Sequence, residues 1–452
     1  MTATSMEQIV SLCKRRGFVF QGSEIYGGLK GTYDFGPLGI ELKKNIRNAW
    51  WRAMVYERDD VEGLECAHLS HPLVWKYSGH EAGFFDLLQD CKKCKARLRA
   101  DHLVDGKCPN CGSTDLTEPR PFMLMMKTPI GPVDDGTSFA YLRPETAQGT
   151  YTHFKDVLDS TSRKLPFGIA QDGKSFRNEI TPRNFLFRQR EFEQAELQYF
   201  VKPGTDEQWW ETWKNVRMEW WKAQGIPAEK LRFHLHEKLA HYAKMACDIE
   251  YEFPWGFDEI EGIHDRQDFD LGSHTKNQEE FDIQAKVMKN TDSTTKLGYL
   301  DIEEKRSYIP FVVETAMGVD RAFVVLMMQA YTEETLPNGE TRIVLKLKKH
   351  LAPVKAAVIP LKRNNPQIVA LAHQIKNDLL KTGVGRIMLE DSGNVGKAYR
   401  RHDEIGTPIC ITVDFESIEQ SPATVTLRDR DTMQQERIAV DQLPEYLKKF
   451  FL

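Results

Sequence analysis

The first long stretch of regular spacing lies between Pro37 and about Met54, where Leu38, Leu42, Ile46, Ala49, Trp50 and Ala53 recur at helical intervals with Lys and Arg between them. Proline near its start suits a first helical turn. Such a stripe serves either a helix packed on its own domain or a helix at a dimer contact, and periodicity does not choose between them. Residues 206 to 250, rich in Trp, Lys and Glu at helical spacing, predict a helical insert. After "LPNGETRIVLKLKKHLAP" the texture changes. "KAAVIPL" reads as a buried strand, and Ile368, Leu371, Ala372, Ile375, Leu379 and Leu380 as a helix ending at Gly383. "RIMLE", "VGKAYRRHDEIG", "PICITV" and "TVTLRD" continue the alternation, which predicts an α/β domain of about a hundred residues on a largely parallel or mixed sheet.

A second pattern has period two. In "SFRNEI", Phe176, Asn178 and Ile180 fall on one face and Arg177 and Glu179 on the other; "TPRN" supplies a turn, and Arg188, Arg190, Phe192, Gln194 and Glu196 then share a face. This predicts an antiparallel hairpin with an ordered polar face. Charges on such a ladder can simply pair across strands, each pair contributing roughly 0.2–1 kcal/mol. An aromatic ring set among arginines and carboxylates also suits a flat polyanion beside an amine. Arginine meets phosphate oxygens two at a time, phenylalanine offers a stacking face, and glutamate accepts from an amine. "FVVETAMGVDRAF" repeats the theme more weakly, with a strand through Glu314, close backbone approach at Gly318, and a helix opened by Arg321. "LRPETAQG" predicts a helix start at Pro144 with Glu145 in its first turn, where a carboxylate interacts favourably with the helix dipole.

At 452 residues the chain exceeds what one core usually serves, so at least two domains are expected. The apolar run near Phe323 to Met328 is too short to cross a bilayer, and "MTATSMEQIV" lacks a secretory pattern; both point to the cytoplasm. A net charge of -5 argues against indiscriminate nucleic-acid binding but leaves room for a local basic face, and Lys346, Lys348, Lys349, Lys397, Arg400 and Arg401 supply either that or a solvated surface. Of eight cysteines, Cys91 and Cys94 form "CKKC" and Cys108 and Cys111 form "CPNC", within a polar insertion running to Pro119. With no export signal, these pairs read as a tetrahedral zinc site before disulfides; four reduced structural cysteines are the alternative.

Together, "GLKGTYDFGPLGIELKKNI", "RPETAQG", "SFRNEITPR" with "REFEQAELQYF", "DRQDFDLGSH" and "ETAMGVDR" resemble class II aminoacyl-tRNA synthetase motifs 1, 2 and 3, in the form used by dimeric glycyl-tRNA synthetases. The resemblance covers nearly the whole chain, and "RPETAQG" is its most glycyl-specific element. It implies an α+β fold with an antiparallel-sheet catalytic domain at 1–345, carrying a zinc-binding insertion at 88–118 and a helical insertion at about 205–255, and an α/β anticodon-binding domain at 346–452. It further implies glycine–tRNA ligase activity, ATP and glycine as substrates, Mg2+, a structural Zn2+, tRNA(Gly) as partner and a homodimer through motif 1.

Residue by residue, the resemblance assigns Arg177 to the α-phosphate and the amino-acid carboxylate, Glu179 to the adenine edge and Phe192 to the ring beneath adenine. Arg188 or Arg190 faces the outer phosphates and Arg321 lies above the base. Asn178, Phe187, Glu191 and Gly318 join the nucleotide set. Glu259 and Ile260 of "GFDEIEG" match an ATP-binding pair, with Glu259 the magnesium contact. Glu145, Glu196 and Glu314 match the carboxylates around the glycine ammonium, accompanied by Phe192, Glu193 and Ala316, while Arg266 and Arg99 match further substrate contacts. Adenylate formation is governed by positioning and charge neutralisation, so the thirteen histidines need no catalytic role. A carboxylate-walled pocket leaves no room for a β-carbon, and no editing domain is demanded. One departure stands out: many members read Glu-Pro-Ser where this chain has Glu314, Thr315 and Ala316, so Thr315 or water replaces the serine hydroxyl, or selectivity is looser. Two other readings remain at this point. A synthetase-like accessory factor without catalysis should have lost Arg177, Glu179, Phe192 and Arg321, all of which are present; a synthetase for alanine or serine is opposed by "RPETAQG" and the carboxylates.

Overall fold

Antiparallel strands can bury one face while the other stays polar, and the largest sheet of this protein lines a cavity with its second face. The computed structural model describes residues 5–451 except 101–102, 104, 133–135, 137, 241 and 392–393. The sheet comprises β1 (Val61–Gly63), β2 (Phe167–Phe176), β3 (Glu191–Val201), β4 (Leu231–Leu235), β5 (Met245–Phe253), β6 (Gly256–Gln267) and β7 (Phe311–Gly318), in the order β4-β5-β6-β7-β3-β2-β1. Only the β1–β2 pair is parallel. Its register aligns Glu196 with Ala316 and Ala316 with Gly262, and in the next row Gln198 with Glu314 and Glu314 with His264. The alternating residues Leu197, Thr315 and Ile263 point the other way and are fully buried.

Three helices cover that buried face: α1 (Gly39–Trp51), α3 (Asp206–Ala223) and α4 (Val319–Ala330), with the short α2 (Ala147–Thr152) lying nearer the polar side. The apolar stripe of α1 is used within its own chain, for Leu42, Ile46 and Trp50 are fully buried in one core with Phe323 and Met327 of α4. Under the sheet, the Arg217 Nε of α3 donates to Glu261 at 2.6 Å with neither side chain exposed to solvent.

Three expectations change on the structure. Of residues 206 to 250, only Asp206–Ala223 is helical, and the rest supplies β4 and β5 of the main sheet rather than an insertion. Trp210, Trp213, Trp220 and Trp221 all lie in the helix and carried the helical signal, Gly225 ends it with φ 98°, and β5 is covered on both faces, which erases its alternation. The polar hairpin is the β2–β3 pair, but its ladder stops at Phe176 and Glu191, and residues 177–190 form a loop reversed at Asn184 and Phe185 with φ near 57°. Glu145 precedes its helix, which begins at Ala147 after Thr146, so it makes no first-turn dipole contact.

The C-terminal region has its own sheet and core. Strands β8 (Ala356–Pro360), β9 (Ile387–Leu389), β10 (Ile409–Val413), β11 (Thr424–Asp429) and β12 (Gln435–Ala439) run in the order β9-β8-β10-β11-β12, parallel across the first three and antiparallel beyond. Helices α5 (Pro366–Leu380) and α6 (Val395–Glu404) complete it, with Val358, Ile375, Ile411 and Leu427 in the core. Asn365 caps α5, its Oδ1 accepting from the Gln367 N–H at 3.0 Å. Buried Asp403 of α6 ties this region to the first by accepting from Arg342 and Arg428, both at 2.8 Å. Among the described residues, no helix is long and apolar enough to cross a membrane.

Candidate active site

A single cavity opens on the polar face of the sheet above β3, β7 and β6. At one end, arginines meet aromatic rings. Arg177, just past β2, donates from Nε to the Pro144 carbonyl at 3.0 Å, and its guanidinium carbon lies 5.2 Å from the Phe192 ring centre. Arg321, in the first turn of α4, donates to the carbonyls of Phe187 (3.2 Å) and Glu259 (2.9 Å) and covers the Phe187 ring at 4.3 Å. Its partner Glu259, a half-exposed carboxylate, is 3.1 Å away, and that positive charge lowers the Glu259 pKa. Arg188 faces Glu179 at 3.8 Å. Burial, and then the charges of Arg99, Arg183 and Arg321, lower the Arg188 pKa despite Glu179, so this end is electrostatically ready for an anion.

The other end is dominated by Arg266. It is nearly inaccessible, chelated by Asp270 (2.7 and 2.9 Å) and by Glu314 (3.2 Å), and roofed by the Tyr242 ring at 3.9 Å. The environments of three glutamates diverge around it. Burial disfavours the Glu145 carboxylate, yet His80, 3.3 Å away, with Arg266 and Arg177 holds it well below the usual range. Glu314 is likewise opposed by burial but is drawn down to about 2 by Arg266 and His264. Burial and the charges of Glu314 and Glu145 push Glu196 up to about 8, although Thr146 Oγ1 donates to it at 2.5 Å. Burial among like charges therefore favours a proton on Glu196 near neutrality.

Of the residues singled out from sequence, Arg177, Glu179, Phe187, Arg188, Phe192, Glu193, Glu259, Gly318 and Arg321 line this cavity, as do Glu145, Glu196, Arg266, Glu314 and Ala316. Five lie elsewhere. Arg190 donates to the carbonyls of Glu179 and Lys30, which leaves Arg188 as the loop arginine facing the cavity. Glu191 pairs with Lys174 at the exposed end of the ladder. Ile260 is fully buried in the core, and the Asn178 backbone is held by Leu124 at 2.7 Å. Arg99 pairs with Asp86 at 3.0 Å on the cysteine-bearing insertion. Glu193 lines the cavity but is committed to Lys43 of α1 at 3.0 Å, and Lys43 also meets Asp320 at 2.8 Å. One buried cation thereby ties α1 to the starts of β3 and α4.

Tyr242, Gly262, His264 and Asp320 line the cavity without having been singled out. A period-two signal was present for two of them, since Gly262, His264 and Arg266 alternate along "GIHDR". Tyr242 lies between β4 and β5, in a segment whose helical reading hid it.

Comparison with known proteins bears directly on these motifs. The family model described as "tRNA synthetase class II core domain (G, H, P, S and T)" matches residues 132–330, and the one described as "Anticodon binding domain" matches 355–450. The chain is 51% identical to the glycine–tRNA ligase of Deinococcus radiodurans over 99% of both chains, and 51% identical to that of Thermus thermophilus over the same shares. It is 48% identical to the glycine–tRNA ligase of Treponema denticola over 98% of this chain and 96% of that one. The chain belongs to the glycine–tRNA ligase family.

In this member of the glycine–tRNA ligase family the α+β architecture is thus a class II core joined to an anticodon-binding domain. On the core, strands Phe85–Asp90, Arg97–Arg99 and Arg120–Met123 carry the four cysteines on their connections. All four Sγ atoms lie within 4.8 Å of one another, with Cys91–Cys111 and Cys94–Cys108 at 3.6 Å. Two matching turns build the cluster, in which the N–H of Lys95 returns to Cys91 and that of Gly112 to Cys108, both at 2.8 Å. Four thiolates at about 2.3 Å from one ion would be separated by about 3.8 Å, so the donor set fits tetrahedral zinc. Of the basic residues noted from sequence, Lys346, Arg400 and Arg401 are each paired with a glutamate.

Proposed function

We propose that this chain activates glycine with ATP to glycyl-adenylate and pyrophosphate, then transfers the glycine to the 3′ end of tRNA(Gly). The observation that carries the reading is the one cavity in which an arginine–aromatic end meets an end of clustered carboxylates around Arg266. Glu145, Glu196 and Glu314 suit the ammonium of glycine, and Arg177 suits its carboxylate together with the α-phosphate. Adenine fits between Phe192 and Arg321 with Glu179 at its edge, and Arg188 faces the outer phosphates. A carboxylate oxygen of glycine attacks the α-phosphorus, the O–P bond of the adenylate forms, and the bond to the leaving pyrophosphate breaks. No proton moves in this step, so fixed positive charge rather than a base lowers its barrier. A terminal ribose hydroxyl of the tRNA then attacks the acyl carbon, and AMP leaves.

Magnesium, when bound, neutralises phosphate charge. The half-exposed Glu259 carboxylate at the cavity fits as its ligand. Zinc on Cys91, Cys94, Cys108 and Cys111 would be structural, ordering the insertion that carries Arg99. We assign residues 1–345 to catalysis and 346–452 to the anticodon end of tRNA. A homodimer through the motif 1 region is supported less by the stripe of α1, which is spent internally, than by its flanks, where Ile25, Tyr26, Leu29 and Tyr56 are all more than half exposed. A cytoplasmic location accompanies this reading, since charged tRNA is consumed there.

The test is ATP–pyrophosphate exchange with each amino acid in turn, followed by charging of tRNA(Gly). Exchange with glycine alone and glycine-dependent charging support the proposal; exchange confined to another amino acid, or none despite ATP binding, defeats it.

A further inference from the structure

Glu314 is followed by Thr315 and Ala316, so no hydroxyl side chain stands at position 316 on the floor of the amino-acid end. Thr315 does not compensate. Strand alternation turns it to the opposite face of β7, where it is fully buried and its Oγ1 has no hydrogen-bond partner among the described residues.

The neighbouring strand supplies what faces this gap. The β6–β7 register sets Gly262 against Ala316 and His264 against Glu314, while Glu196 of β3 flanks Ala316 on its other side. Two adjacent small residues would leave a hollow, and the imidazole of His264 lies across it. A Cβ built on Gly262 would stand 2.6 Å from His264 Cε1, so the ring can occupy this position only because residue 262 has no side chain. The His264 side chain is 16% exposed, its Nδ1 is 3.0 Å from Glu314 Oε1, and its ring centre is 6.3 Å from that of Tyr242, the roof over Arg266.

We propose that His264 is a positioning and specificity-determining residue: lying across Gly262 beside Ala316, it orients Glu314 toward the substrate ammonium and fills the space that the β-carbon of alanine or serine would need. This inference rests on the glycine activation proposed above. The physical argument is one of volume. One additional methylene is rejected by only about 10–200-fold even in a well-formed pocket, so a hollow of imidazole size next to the substrate would remove most of that discrimination. Glu314 is held by Arg266 at 3.2 Å and by Gln198 Nε2 at 2.8 Å, with His264 Nδ1 at 3.0 Å, so loss of His264 removes one of the contacts that set the orientation of the carboxylate and opens the gap beside it.

The experiment is amino-acid-dependent ATP–pyrophosphate exchange on the full chain with glycine, alanine and serine, comparing wild type with His264→Ala, His264→Gln and Gly262→Ala, with ATP binding measured for each. In H264A the ratio of kcat/KM for alanine or serine to that for glycine should rise by about tenfold or more, with KM for glycine raised more than kcat is lowered. H264Q, which keeps a polar side chain in the gap, should recover much of the lost discrimination. G262A, which displaces the ring without removing it, should move the ratio in the same direction as H264A. If wild type exchanges glycine while H264A and G262A bind ATP and keep the wild-type ratio and glycine KM, the proposal is overturned. Should H264A fail to bind ATP, an unchanged ratio in G262A overturns it equally. A wild type that does not exchange with glycine defeats the proposed function instead.

Discussion

At the carboxylate-rich end of the cavity, Arg266 is saturated: Asp270 and Glu314 take its hydrogen bonds, Tyr242 covers its face, and almost none of it meets solvent. At the arginine–aromatic end, Arg177 donates to one carbonyl and Arg188 faces a glutamate at 3.8 Å, with both residues lining the cavity. The contrast separates two uses of the same residue type. A buried, fully compensated arginine belongs to the fold and shapes its surroundings, whereas a lightly held one keeps hydrogen-bonding capacity for a ligand. Mutations at the two ends should therefore divide differently between stability and activity.

The sharpest break of that comparison is Arg266→Met, which takes from buried Asp270 the cation that chelates it and leaves Glu314 with only His264 and Gln198 beside it. Removing one partner of such a pair costs about 3–5 kcal/mol, so denaturant melts should show a loss of that order together with loss of glycine-dependent exchange. Arg177→Ala should instead lower exchange by about 10^2–10^3-fold while its melting temperature stays near wild type. If R177A is as destabilised as R266M, the two ends are not different in kind.

Glu196 sharpens the comparison through pH. Its carboxyl is held up to about 8, against about 4.3 for an unfolded glutamate. Between those values the native state keeps a proton that the unfolded chain has lost, so this group's stabilising contribution is complete below about pH 4.3 and is lost as pH rises toward 8. Glu196→Gln removes the titration, and its melting temperature relative to wild type should climb from pH 5 to 8 by a few degrees, roughly. The same variant should bind glycine more weakly. In wild type, glycine binding below pH 8 should release protons, readable by calorimetry in buffers of different ionisation enthalpy; no buffer dependence would remove Glu196 from the ammonium site.

The smallest effect is expected from the insertion, which among the described residues reaches the cavity through the charge of Arg99 near Arg188. Metal analysis should find one zinc per chain. Chelation or Cys94→Ser should expose residues 88–118 to protease while changing glycine exchange by less than about tenfold, in keeping with a metal that orders its own loop.

Much of the site was legible because its residues fall in short motifs. "SFRNEI", "REFEQAE" and "ETAMGVDR" delivered Arg177, Phe192, Glu196, Glu314 and Arg321, all of which line the cavity. Arg188 and Arg190 were not separable, since both fall on the same period-two face in the sequence, and only in the structure is Arg190 captured by carbonyls from elsewhere in the chain. The helical insert failed for a related reason: five tryptophans in one helix gave its signal to a longer segment, while β5, covered on both faces, had no alternation to read.

By itself the sequence determined what depends on neighbours along the chain: the stripe of α1, the paired cysteine turns, the alternation of the C-terminal domain, and the residue types gathered for a nucleotide beside an amine. Only the tertiary structure decided that the α1 stripe is spent against α4, that Glu145 is held by His80, and that His264 rather than Thr315 faces the gap at Ala316. Those outcomes depend on register across strands far apart in the chain. A shift of one residue exchanges every side chain between the core and the cavity, and burial then sets which carboxyl keeps its proton.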